Sequence, residues 1–120
     1  MLDPAVREIA KGAPLAKGRV KLELPVIADN GNSIPLNVTV DSPMSSTDYV
    51  VSIHLISERN PVKNMANFYL GPRAGRAQVA TRVRLAGSQT VTAVAALSDG
   101  TFWVDSAHTQ VTLSACVDES

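Results

Sequence analysis

The sequence predicts an all-β domain, an immunoglobulin-like antiparallel β-sandwich preceded by one short helix. Three observations predict this fold class. From Arg19 onward, apolar residues recur at every second position, which is the period of a half-buried strand. Clusters of Gly, Pro, Asn, Asp and Ser separate these runs. Helical spacing occurs only before Gly12. Roughly eight short strands joined by such turns are typical of two packed sheets.

The composition indicates one domain and excludes several function classes. A chain of 120 residues can bury a sizeable core, and its 11 basic and 11 acidic residues balance. This balance argues against a dedicated nucleic-acid binder. No segment approaches the roughly 20 apolar residues of a membrane span, and the N-terminus lacks the pattern of a secretory signal. If the protein is exported, we expect this chain to be the processed form or to begin at an added Met1.

The first element is a short helix. Asp3 is the predicted N-cap, Pro4 occupies the first helical position and Gly12 follows the last. The apolar stripe consists of Val6, Ile9 and Ala10. So short a helix is unstable alone in water, so this stripe must pack on the sheet or on another chain.

The strands follow in order. Val20–Val26 alternates, with Val26 on its inward face, and Pro25 within it indicates an edge strand or a bulge. A hairpin turn at 29–32 leads to Ile34–Val40, which alternates without a break. In the next predicted strand, Tyr49–Ser57, Val51 shares an inward face with Ile53 and Leu55. Later strands are predicted at Lys63–Leu70, Ala77–Leu85, Gln89–Ser98, Thr101–Asp105 and Gln110–Ser114.

The end of the chain carries the strongest candidate for chemistry. Asp99-Gly100 predicts a primed hairpin turn, after which the return strand stops at Asp105 and a separate last strand begins at Gln110. Alternation on that last strand places Cys116, the only cysteine, on the face opposite the core. Its acidic neighbours Asp118 and Glu119 disfavour the thiolate. The thiol is therefore either a reactive group near a chain end or an inert residue at a strand end.

Other candidate residues are weaker. His54 and His108 match no metal-ligand spacing with Cys116, which favours two solvent-facing strand residues. A local basic cluster could hold an inorganic anion or an acidic partner, or could be a solvated strand face. The chain contains no serine-hydrolase arrangement, glycine-rich phosphate loop or HExxH motif, so we expect no self-contained enzyme. The basic cluster consists of Arg73, Arg76, Arg82 and Arg84.

Four strings in the sequence resemble one family. VDSPM ends at Met44, LGPRAG begins at Leu70, ATRVRLA begins at Ala80 and ALSDG ends at Gly100. Together with VTLSAC, which ends at Cys116, they are similar to SoxY, the sulfur-carrier subunit of the bacterial thiosulfate-oxidising (Sox) system. The resemblance covers roughly residues 18–116. It divides the chain into a helix and lead-in (1–17), a carrier domain (18–116) and a tail (117–120).

The resemblance implies a periplasmic protein that forms a heterodimer with a SoxZ-type subunit. Proteins of this family carry sulfur covalently on a cysteine near the C-terminus and have no turnover of their own. A cytochrome couples thiosulfate to the thiol, a hydrolase releases sulfate, and a sulfur dehydrogenase oxidises the remaining sulfur. The expected site residue is Cys116, and no cofactor is expected beyond the covalent sulfur adduct.

The sequence departs from the family at the arm that bears the cysteine. The family has Gly-Gly-Cys-Gly-Gly, which is slim and flexible, whereas Ala115 and Val117 flank Cys116 here. Either Cys116 is the carrier on a variant arm, or the true arm lies beyond Ser120.

A second hypothesis from a different class is a non-catalytic binding or scaffold module with a structural cysteine. The helix stripe and the edge Val20–Val26 are candidate contacts with a partner or with a second copy in a homo-oligomer.

Overall fold

The computed structural model describes residues 4–112, which form a β-sandwich with one short helix, as the sequence predicts. Helix α1 spans Pro4–Ala10, and a 3-10 turn spans Pro72–Ala74. None of the helices in residues 4–112 is long and apolar enough to cross a membrane. The strands are β1 Leu15–Ala16, β2 Val20–Glu23, β3 Ile27–Ala28, β4 Ile34–Val40, β5 Val50–Ser57, β6 Asn64–Tyr69, β7 Gln78–Val83, β8 Gln89–Leu97 and β9 Phe102–Val111.

Two sheets face each other. The larger has the order β1-β9-β8-β5-β6, with β3 also paired to β9, and the smaller has the order β2-β4-β7. The long strands pair antiparallel, whereas β1 and β3 each add two residues parallel to β9. These short parallel strands were not predicted, because two residues are too few to show a period.

The core lies between the sheets and is built by the predicted alternation. Ile34 and Val38 on β4 have no exposed surface, and neither have Val91 and Ala93 on β8. In β5 the register shifts between Val50 and Ser52. This bulge puts Val50 in the core and leaves Val51 38% exposed, so the predicted inward position of Val51 is wrong.

Helix α1 covers the outer face of the larger sheet. Val6 is buried there with Ile56, Val94 and Val104 in a second apolar cluster, and Ala10 is also buried. β8 therefore buries side chains on both faces, which explains its nearly continuous apolar sequence. The helix stripe packs within its own chain, so the alternative prediction that it contacts another chain is wrong for these buried residues. The predicted N-cap Asp3 lies outside the described residues.

The smaller sheet begins with the predicted edge strand. β2 pairs only with β4 among the described strands, which confirms its edge position, but it ends at Glu23. After Pro25 the chain crosses to the larger sheet and pairs with β9 as β3. Val26 is consequently 76% exposed, and its predicted inward position is wrong.

The last hairpin also differs from the prediction. Gly100 has a φ of 86°, but Asp99 is not among the residues with positive φ. The Gly100 amide donates to the Leu97 carbonyl and the Leu97 amide donates to the Thr101 carbonyl, so the turn is wider than a primed two-residue turn. β9 then continues without a break from Phe102 to Val111. The predicted division into two strands is therefore wrong, because β8 pairs with β9 continuously from Phe102 to Thr109.

Candidate functional site

Strand β9 leads the chain toward its only thiol. The last described residue is Thr112, and Cys116 lies four residues further on, outside the described residues. Thr112 is thus the described residue nearest to Cys116 in the sequence, and we call the end of the sandwich where it lies the Thr112 end. It comprises Thr112 and the loops at 29–33, 58–63 and 84–88.

The segment around β3 fixes one side of this strand end. The hydroxyl of Thr109, which has no exposed surface, donates to the Pro25 carbonyl across 2.5 Å. The Gln110 amide donates to the Val26 carbonyl, and the Thr112 amide donates to the Ala28 carbonyl. The Thr112 hydroxyl also contacts the Asp29 carbonyl, at 3.1 Å. The chain is thus held by hydrogen bonds up to Thr112.

A polar network around the buried side chain of Gln89 fixes the other side. The Val111 amide donates to Ser88 Oγ across 2.8 Å. Beside it, Gln89 has no exposed surface, and its Nε2 donates to Asn60 Oδ1 across 3.0 Å. Gln89 Oε1 accepts from the Arg59 amide, and Asn60 Nδ2 donates to the Arg84 carbonyl. The loops at 58–63 and 84–88 are therefore locked together. Sequence reasoning missed this network, although a glutamine starting an otherwise apolar strand was the available signal.

Apolar residues are exposed beside the Thr112 end. Val26 is 76% exposed and Ile27 is 57% exposed, and Ile27 pairs with Gln110 on β9. Both therefore lie close to the point from which the thiol-bearing segment departs. Exposed aliphatic side chains next to a fixed chain exit are suited to contact with a partner protein.

His54 lies in a separate hydrogen-bonded row on the outer face of the larger sheet. Its Nε2 is 2.9 Å from Ser52 Oγ, and its Nδ1 is 2.5 Å from Asn67 Oδ1. The Tyr69 ring meets the imidazole edge-on, with centroids 6.2 Å apart. This row has the order of a nucleophile, a base and an orienting amide, but Ser52 is buried and a substrate cannot reach its hydroxyl. We therefore interpret these hydrogen bonds as structural contacts between β5 and β6.

The histidines are not brought to the Thr112 end as metal ligands. His108 is exposed, with Nδ1 3.3 Å from Thr90 Oγ1. Within residues 4–112 no group of three or more His, Cys, Asp or Glu side chains could hold a metal ion. The prediction that both histidines face solvent holds for His108, whereas His54 is half-buried.

The basic residues do not form one cluster. Arg73 and Arg76 precede β7, whereas Arg82 and Arg84 lie at its far end. A strand rises about 3.3 Å per residue, so Arg76 and Arg84 are separated by the length of β7. The predicted local cluster is therefore wrong as a single site, but all four arginines are exposed.

The fold defines a class of protein: a small β-sandwich of two sheets with one short helix on the outer face of the larger sheet. Comparison with known proteins gives the family. The family model described as "Sulfur oxidation protein SoxY" matches residues 6–116, and this chain belongs to that family. The resemblance found in the sequence is thereby confirmed.

Solved structures agree on the fold. The sulfur carrier protein SoxY from Chlorobium limicola f thiosulfatophilum has a TM-score of 0.74 at 22% identity, covering 91% of this chain and 94% of that chain. Superoxide reductase (neelaredoxin) from Ignicoccus hospitalis has a TM-score of 0.68 at 17% identity, covering 78% and 80%. Superoxide reductase from Nanoarchaeum equitans has a TM-score of 0.65 at 11% identity, covering 79% and 99%. At these identities the likeness shows the fold alone. The comparison with curated proteins found no match.

Proposed function

We propose that this chain is a periplasmic, non-enzymatic carrier that holds thiosulfate-derived sulfur covalently on Cys116. One observation supports the proposal above the others. The family match extends through Cys116, the only cysteine of the chain, which follows a strand end fixed by hydrogen bonds. A sulfur-oxidation carrier needs a thiol that it can present to other proteins, and this chain has one candidate.

The proposed chemistry uses the thiol as the attachment point and leaves each reaction to a partner enzyme. Loading joins the Cys116 sulfur to the terminal sulfur of thiosulfate, giving Cys–S–S–SO₃⁻, a proton and two electrons that pass to a cytochrome. Hydrolysis then cleaves the S–S bond next to the sulfonyl group. Water supplies the oxygen, sulfate leaves and a persulfide remains on Cys116. A sulfur dehydrogenase oxidises that persulfide further.

The geometry of the Thr112 end supports docking of these enzymes there. Because only three residues separate Cys116 from Thr112 in the sequence, we expect an enzyme that acts on the thiol to approach this end of the sandwich. Val26 and Ile27 offer exposed apolar contacts beside the exit. We also propose a SoxZ-type subunit as the stable partner, as expected for the family.

Mass spectrometry tests the covalent assignment. The reduced protein is incubated with thiosulfate, the Sox cytochrome and an electron acceptor, and its intact mass is measured before and after a thiol reductant. We expect a reducible increase equal to the mass of S₂O₃ that maps to Cys116. Cys116→Ser should abolish it, whereas the control Ser114→Ala should retain it. No adduct on the wild-type protein favours the scaffold module, and an adduct on Cys116→Ser contradicts the assignment.

Cell fractionation tests the location. We expect the native protein to be released with a periplasmic marker by osmotic shock. Its retention with a cytoplasmic marker would contradict the periplasmic assignment without affecting the chemistry of the thiol.

A further inference from the structure

The two lateral edges of the sandwich differ. On one side β9 is covered by β1 and β3, and between them the Leu22 amide donates to Asp105 Oδ2 across 2.8 Å. On the other side β6 pairs only with β5, and β7 pairs only with β4, among the described strands. We call this second side the open edge. Alternate backbone groups of each edge strand point away from its neighbour and are available to another strand.

The core is incompletely covered along the open edge. Met65, Ala66 and Phe68 on β6 pack against the core but remain half-buried, as does Val79 on β7. Between the two strands lies a groove of about 320 Å³ that exposes apolar side chains next to two arginines. Its lining includes Val62, Met65, Ala66, Arg82, Val83 and Arg84.

The charge of the open edge is entirely positive. Residues 59–98, which include both edge strands, contain Arg59, Lys63 and four further arginines but no Asp or Glu. The Arg82 guanidinium donates hydrogen bonds to the Ser33 hydroxyl, at 2.5 Å, and to the Ser33 carbonyl, at 3.5 Å. The one ion pair between described residues joins Arg19 to Asp48, away from this edge. The net charge of the chain is zero, so basic residues are concentrated in this part of the sequence and the acidic residues lie elsewhere.

We propose that the open edge binds an extended acidic segment of a partner protein, which adds as a strand to β7. Side chains on a strand alternate between its two faces. A carboxylate beside Arg82 would lie on the outer face of the smaller sheet, and the next, apolar residue would enter the groove against Val83 and Met65. Main-chain hydrogen bonds supply affinity, and the alternation of acidic and apolar residues supplies specificity.

Charge disfavours a second copy as the occupant. Antiparallel pairing of β7 with β7 of another copy, in the register centred on Val83, would place Arg82 of each copy opposite Arg84 of the other, and like charges across strands are destabilising. The surface therefore suits a heterologous acidic strand. This inference does not depend on sulfur chemistry at Cys116.

Peptide binding followed by NMR tests the proposal. The probe is a nine-residue acetylated and amidated peptide in which Glu alternates with Val, and a Lys/Val peptide of the same length is its control. We expect the Glu/Val peptide to bind more tightly and to slow hydrogen exchange at backbone amides of β7. Two further peptides are N-methylated, one at its Glu residues and the other at its Val residues. We expect only the peptide whose methylated amides point toward β7 to lose binding.

Charge variants locate the site. Arg84→Glu should weaken binding by about fivefold, whereas Lys17→Glu, the same change beside the covered edge, should not. Equal binding of the two peptides, equal effects of both variants, or protection outside β7 would overturn the proposal. Concentration-dependent protection of β7 in the protein alone would also overturn it, because a second copy would then be the occupant.

Discussion

Gln89, the first residue of β8, is hydrogen-bonded to Asn60 and so connects this strand to the loops at 58–63 and 84–88. Gln89 Nε2 donates to Asn60 Oδ1 across 3.0 Å, and Gln89 has no exposed surface. Asn60 Oδ1 also accepts from the Ala86 amide. This pair, in which Gln89 is buried and Asn60 is half-buried, satisfies backbone groups of two loops and fixes their relative position, since a displacement would leave the buried Gln89 amide unpaired.

Replacing Gln89 should therefore destabilise the domain. Gln89→Met keeps the approximate size of the side chain but leaves the Arg59 amide without its acceptor. We expect the free energy of unfolding, measured with urea, to fall by about 1–3 kcal/mol. Gln110→Met, the same change at an exposed position on β9, should alter it by less than about 0.5 kcal/mol. Equal effects at the two positions would contradict this role of Gln89.

The strands were predictable where a strict period extended over many residues. Ile34–Val40 was predicted to the residue, because its alternation is unbroken and its inward side chains are all buried. The bulge at Val51 and the crossing after Pro25 were not predictable, since both depend on pairing with distant strands. Period alone cannot show where a strand leaves one sheet for the other.

The assignment of Cys116 as the candidate site stays a prediction, because this residue lies outside the described residues. The contacts that support the preceding end of β9 were not predictable from the sequence. The contact of Thr109 with Pro25 joins residues 84 positions apart, and no local pattern reports such a distance. The same limit applies to the open edge, because pairing of β6 and β7 with only one neighbour each is a property of the assembled sheets.

The packing of helix α1 predicts a stability effect without an assembly effect. Val6 is buried against Val94 and Val104, so Val6→Ala leaves a cavity in the second apolar cluster. We expect the free energy of unfolding to fall by about 1–3 kcal/mol, with the association state unchanged in sedimentation analysis. Glu8→Ala, an exposed change on the same helix, is the control. A shift in association state without loss of stability would show that the stripe contacts another chain.

In the last hairpin, hydrogen bonds from Thr101 lower the pKa of the Asp99 carboxyl group. The Thr101 hydroxyl and amide both donate to Asp99 Oδ1, at 2.5 and 2.9 Å. These bonds, the hydroxyl first, hold the pKa of Asp99 below its usual range, and Arg19 lowers it further. A lowered pKa in the folded protein means that the stabilisation is present above the ordinary pKa and is lost as the pH falls through the folded value.

Titration by NMR checks this assignment. Thr101→Val should raise the pKa of Asp99, because the hydroxyl donor is removed while the backbone donor remains. Thr101→Ser retains the hydroxyl and should leave the pKa low. It should also retain the acceptor for Trp103 Nε1, which lies 2.9 Å from Thr101 Oγ1. If valine and serine give the same pKa, the hydroxyl is not the cause.

The hydrogen bond from Thr109 to the Pro25 carbonyl is expected to hold the end of β9 in place. Thr109→Val keeps the shape of the side chain but leaves the Pro25 carbonyl without its hydroxyl donor. We expect a loss of about 1–3 kcal/mol in the free energy of unfolding, since both groups lie in a part-buried site. Hydrogen exchange at the Gln110 and Thr112 amides should accelerate more than exchange at the middle of β8, because both amides bond to the same segment. Thr39→Val, a matched change on β4, should affect neither amide. Unchanged exchange at Gln110 and Thr112 in Thr109→Val would show that the exit is held without this hydroxyl, by the bonds from β3 and Ser88 alone.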